Sequence, residues 1–171
     1  MNDQPSSQAT HANSSVERQS KTLNPEDWEV LICDKTKEPS ILGFLQLCAD
    51  RRFHQCIQRK FQQDAGLTLP EDYWIHADAG GTPKMECQRT APDYCYYDKH
   101  VRKMGWSAHG NVCGGFGPDV SDEEIEQALV VIFQRKTEEY PLATHFCYFA
   151  RLIGVGDAAE AAVYCRKYEK G

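Results

Sequence analysis

The stretch ILGFLQLCADRRF, Ile41 to Phe53, decides the fold. It opens as an apolar run, Ile41-Leu42-Gly43-Phe44-Leu45, with Leu47 two residues on. It then breaks into Cys48, Asp50, Arg51 and Arg52. A short run of large apolar residues with little polar alternation reads as a strand covered on both faces, as in a parallel sheet. Ligands of open α/β sheets gather at the carboxyl ends of the strands. A thiol, a carboxylate and guanidinium groups at such an end make a candidate site. A buried free cysteine beside a surface ion pair is the plainer alternative.

Working outward, Phe53, Cys56, Ile57 and Phe61 recur at helical spacing, and Gly66 closes the amphipathic helix they predict. Tyr73 to Ala77 reads as a second short strand. It runs into Asp78-Ala79-Gly80-Gly81-Thr82-Pro83, whose paired glycines suit a loop lining a site. Residues 84–100 hold Cys87, Cys95, three tyrosines and His100 without periodicity, which predicts an irregular excursion with a helical turn. Met104 to Ala108 is a third strand, followed by His109-Gly110-Asn111-Val112-Cys113-Gly114-Gly115.

Ser121-Asp122-Glu123-Glu124 is a capping box, and Ile125, Leu129, Ile132 and Phe133 form the apolar face of the helix it starts. That helix reaches about Glu139, and Pro141 stops it. Thr144 to Leu152 reads as a fourth strand and the alanine-rich Asp157 to Lys167 as a C-terminal helix. Strands alternating with helices predict an α/β fold: a single small domain with a mostly parallel four-stranded sheet flanked by helices.

The 171 residues suit one domain with a real core. Residues 1–24 contain one valine, one leucine and no aromatic residue, which predicts a disordered tail ahead of a domain over 25–171. Trp28 to Cys33 reads as a short element on the domain edge, and Asp34 to Ser40 as a connector. No apolar run approaches the ~20 residues of a membrane span. No basic region followed by an apolar one opens the chain, so a cytoplasmic location is expected. A net charge of −6 argues against general affinity for nucleic acid or an anionic membrane. The eight cysteines are spread through core-forming sequence, unlike a compact disulfide scaffold, and read as reduced.

Two predicted strand ends carry metal-binding chemistry: Cys48 after the first, His109 with Cys113 after the third. Two thiolates and one imidazole, with a fourth position free, suit a catalytic type of zinc site. A rival local cluster is Cys87, Cys95 and His100, which lacks a fourth ligand. His76 and His145 read as packing or surface histidines. His54 reads as a solvated residue or a proton shuttle, and Tyr94, Tyr96 and Tyr97 as wall or interface residues. Arg51 reads as a binder of a carboxylate, a neighbouring subunit or an anion.

Cys48-Ala49-Asp50-Arg51-Arg52 resembles the C-x-D-x-R motif of β-class carbonic anhydrases. Ala79-Gly80-Gly81 is similar to that family's alanine-glycine loop, and His109 with Cys113-Gly114-Gly115 to its H-x-x-C-G-G segment. The resemblance spans about residues 40–152. It implies that Cys48, His109 and Cys113 bind Zn2+, and that Asp50, paired with Arg52, orients the zinc-bound hydroxide or takes its place on the metal. It further implies a substrate pocket at Ala79, Gly80, Gly81 and Gly114, reversible hydration of CO2 to bicarbonate, and a homodimer. Hydrolysis of COS or CS2 at the same site, or zinc binding without turnover, are the alternatives. The chain departs from the family by placing three residues between His109 and Cys113 where the family has two, and by a shorter core.

Overall fold

A computed structural model describes residues 40–68 and 70–169. The predicted tail over 1–24, the element at Trp28 to Cys33 and most of the following connector lie outside the described residues. The described chain runs β1 (Gly43–Cys48), α1 (His54–Ala65), β2 (Tyr73–Asp78), α2 (Thr90–Asp93), β3 (Lys103–His109), α3 (Asp122–Glu139), β4 (Thr144–Ile153) and β5 (Glu160–Tyr168). The five strands form one sheet in the order β2-β1-β3-β4-β5. The first four are parallel, and β5 runs antiparallel to β4.

All six residues of β1 are buried, because helices cover both faces of the sheet. On one face α1 sets Ile57, Phe61 and Ala65 against Leu45, Leu47, Phe146 and Tyr148. On the other, α3 sets Ile125, Leu129 and Phe133 against Phe44, Trp106, Cys147 and Phe149. Phe61 packs close over Gly105, which leaves room for its ring. A Cβ there would stand 2.6 Å from Leu45 Cδ1 and 3.0 Å from the Phe61 ring.

The helix ends follow their local signals. Gly66, at φ 62°, closes α1 with its N–H on the carbonyls of Gln62 and Gln63. Ser121 Oγ accepts from Glu124 N, and Glu124 Oε2 accepts from Ser121 N, completing the predicted box at the start of α3. Within the excursion over 84–100, α2 leads into a wider turn at Tyr94–Asp98.

The sheet has five strands where the sequence predicts four, because the expected C-terminal helix is β5. The alanines of 157–167 favour helix locally. Ala161, Val163 and Cys165 nevertheless alternate, and all three pack onto the α1 face beside Leu152. Pairing along the whole of β4, from His145↔Tyr168 to Ile153↔Glu160, outweighs the weak helical preference.

The strand order sets the site. From β1 the chain steps to β2 on one side, then crosses back over β1 to β3 on the other. The carboxyl ends of β1 and β3 therefore flank the switch point of the sheet, where open α/β folds leave a crevice.

Candidate metal centre

Cys48 is the last residue of β1 and His109 the last of β3, so the parallel ladder delivers both to the crevice. Cys113 follows β3 in a tight turn, its carbonyl accepting from Phe116 N and Gly117 N. All three side chains are buried, and their ligand atoms lie within 4.8 Å of one another. Cys48 Sγ is 3.7 Å from Cys113 Sγ and 3.2 Å from His109 Nε2. Among the described residues this is the one such group of His, Cys, Asp and Glu, and it could hold a metal ion.

His109 is set for the role. Its Nδ1 donates to the Gly110 carbonyl at 2.7 Å, which turns Nε2 toward Cys48 Sγ. Phe53 stacks on the imidazole at 4.4 Å. Burial pushes this imidazole down, but its bonds to Cys48 and Gly110 outweigh burial and hold it above its ordinary value.

The cysteines differ sharply. Burial raises the Cys48 thiol, but the His109 bond and the backbone N–H groups of Asp50 and Gly80 overcome it, giving about 7. Cys113 is pushed up, by burial first and then by the Cys48 charge beside it. Burial alone takes Cys95 to about 11, and burial dominates at Cys147, which reaches about 12.

Asp50 and Arg52 stand in the turn that follows β1. Arg52 donates from Nε to both carboxylate oxygens at 3.1 and 3.0 Å, from Nη2 to Oδ2 at 2.6 Å, and from its backbone N to Oδ1 at 3.0 Å. These bonds hold the Asp50 carboxyl below its usual range. Asp50 Oδ2 lies 3.7 Å from His109 Nε2, at the rim of the three-ligand group.

The predicted loop residues lie where β2 turns toward β3. Gly80 and Gly81 have φ of 88° and 63°. A Cβ on Gly81 would meet the Ser107 carbonyl at 2.5 Å, so this turn packs on the strand that carries His109. Thr82 pins it there, its N donating to the Ser107 carbonyl and its Oγ1 accepting from Ser107 N. Across from the turn it is Gly115 that makes the close approach, since a Cβ there would stand 2.3 Å from Gly80 N. Gly114 is exposed with open space around its Cα.

The other residues singled out in the sequence fall elsewhere. Cys87 and His100 are exposed and Cys95 is buried in the α3-side core, so the rival cluster does not form a close ligand group. His145 is a buried packing residue that accepts from the Trp106 indole, and His76 meets Gln46. His54 Nε2 donates to the Cys48 carbonyl at 2.6 Å. Arg51 is exposed, Tyr96 is buried, and Tyr94 and Tyr97 are exposed.

The sequence marks Gly110 and Asn111 as the residues able to absorb the extra length in a left-handed turn; Asn111 does so, at φ 55°, but its partner in that region is Val112 and not Gly110. Asn111 Oδ1 accepts from Leu152 N at 2.5 Å, its N donates to Asp122 Oδ1 at 2.7 Å, and its carbonyl accepts from Arg52 Nη2 at 3.4 Å. The signal available was the Gly-Asn pair in the extra-long segment after β3.

No family model matches the chain, and no curated protein matches it either. Among the described residues no helix is long and apolar enough to cross a membrane.

Proposed function

We propose that the protein is a zinc-dependent lyase of the carbonic anhydrase type, interconverting CO2 and water with bicarbonate and a proton. One observation carries the reading: two thiols and an imidazole converge at the switch point, beside a carboxylate held by a forked guanidinium.

The donor set suits zinc in chemistry and spacing. Metal–sulfur bonds of about 2.3 Å at tetrahedral angles separate two sulfurs by about 3.8 Å. The sulfurs stand 3.7 Å apart. Zinc in such a three-ligand site supplies the Lewis acidity that ionises water near neutral pH.

The residues of the chain do the rest. Cys48, already poised toward thiolate, and His109, with Nε2 turned toward it, would hold the ion with Cys113. Asp50, kept ionised by Arg52, accepts a hydrogen bond from the attacking water and aims its lone pair at the CO2 carbon. Arg52 in turn restrains Asp50 from swinging inward. Gly80, Gly81 and Gly115 let backbone close around a substrate of three atoms.

One distance favours a second reading, zinc binding without turnover. Asp50 Oδ2 is as far from His109 Nε2 as the two sulfurs are from each other, so a modest swing makes Asp50 a fourth ligand. Metal analysis with stopped-flow CO2 hydration separates the two. About one zinc per chain with hydration near neutral pH supports the lyase. Full zinc without hydration between pH 6 and 9 leaves the inert metal protein.

A further inference from the structure

Three residues separate His109 from Cys113, and the chain takes them up in an unusual way. Asn111 and Val112 both sit in the left-handed region, at φ 55° and 60°. Asparagine tolerates that conformation, but a β-branched valine does so rarely. Val112 is exposed and gains little from packing, so the surroundings must hold the backbone in place.

The surroundings are bonds to Asn111. Its side-chain oxygen takes the Leu152 N–H at the far end of β4, and its own N–H goes to Asp122 at the start of α3. Beside it, Gly110 N donates to the Ala150 carbonyl. Gly110 also lies so close to the Asp122 carboxylate that a Cβ would stand 2.3 Å away. The bridge between the two ligands is thus fastened to β4 and to α3, and its carbonyl touches Arg52.

We propose that Asn111 is a positioning residue of the metal centre. Its amide holds the left-handed bridge so that the Cys113 thiol meets Cys48 and His109. The inference rests on the metal-binding reading above. Without the Leu152 bond, the cheapest relaxation returns Val112 to negative φ, which moves Cys113 out of the ligand group.

Cobalt(II) is the probe, loaded into the metal-stripped full chain, because its thiolate charge-transfer band reports how many sulfurs are bound. Wild type shows the band of two thiolates. Asn111→Gly keeps the left-handed backbone but deletes the amide. Its band falls toward that of one thiolate, and cobalt passes to a chelator about 10- to 100-fold faster, the usual cost of losing an outer support. Asn111→Asp, which keeps the accepting oxygen, restores both. Should Asn111→Gly not fold, Asn111→Ser, whose oxygen falls short of Leu152 N, carries the same comparison. A wild-type band and release rate in Asn111→Gly overturn the proposal, even alongside a lower Tm. Wild type without any thiolate–cobalt band overturns the metal reading itself.

Discussion

Replacing Arg52 by alanine tests the chemistry assigned to Asp50. The guanidinium makes three of the four N–H contacts to the carboxylate, and only the backbone N of residue 52 remains after truncation. A hydrogen bond to a charged group contributes roughly 1.5–3 kcal/mol. The Arg52 side chain is 48% exposed, so solvent screening reduces that to about 1–2 kcal/mol. A loss of that size slows a step that depends on an aligned, ionised Asp50 by about one decade. Arg52→Lys keeps the charge but loses the fork, and falls between wild type and Arg52→Ala. The assay is stopped-flow CO2 hydration near neutral pH, with zinc measured on the same samples so that lost metal is not read as lost rate. Arg52→Ala with full zinc and a wild-type rate refutes the role given to the pair.

Cys48→Ser and His109→Ala each leave two of three ligands, so zinc content by elemental analysis falls well below one per chain, while Cys87→Ser leaves it unchanged. Gly105→Ala drives a methyl against Leu45 and the Phe61 ring; overpacking of about 1–3 kcal/mol lowers the Tm by several degrees. Asp64 is half-buried, which raises its pKa, but bonds from Lys60, Cys165 and Tyr148 lower it below 3.8 overall. Its stabilisation is therefore complete above that value and lost as pH falls through the lowered folded pKa, so in urea unfolding the deficit of Asp64→Asn against wild type is full at pH 7 and shrinks as the pH falls below 3.8. Val112→Gly relieves a left-handed valine that costs about 1–3 kcal/mol, against about 0.5–1 for glycine's extra freedom when unfolded, so thermal unfolding shifts upward.

How far the fold could be read depended on where each signal lay. β1 was legible because helices cover both its faces, and that burial writes an apolar run into the sequence. The end of α1 at Gly66 and the start of α3 at Ser121 were legible because a cap is a contract between residues three or four apart. β5 was not. Its alternation of Ala161, Val163 and Cys165 is faint, and only the long partner β4 turns it into a strand. In the candidate site, the ligands could be placed from the ends of two strands. Asn111 could be read as a left-handed residue but not as a fastening, since its side chain bonds to Leu152, 41 residues away. Gly115 shows the same limit: only the fold reveals that it, and not Gly114, faces Gly80 across the crevice.

The end of a strand also explains why the Cys48 thiol is held low while Cys147 is pushed high. Cys147 sits in the middle of β4 with strands on both sides, so the neighbouring N–H groups belong to the ladder and burial drives its thiol to about 12. Cys48 is equally part of the sheet, but the ladder stops there. The N–H groups of Asp50 and Gly80, just past the ends of β1 and β2, have no strand partner and turn to the sulfur instead. Together with His109 they offset the kind of burial that raises Cys95 and Cys147, and the thiol sits at about 7. On the metal-binding reading proposed above, a soft ion entering the crevice would therefore meet one sulfur already close to its thiolate form. Binding would also displace the protons of Cys113, 3.7 Å away, and of His109 Nε2.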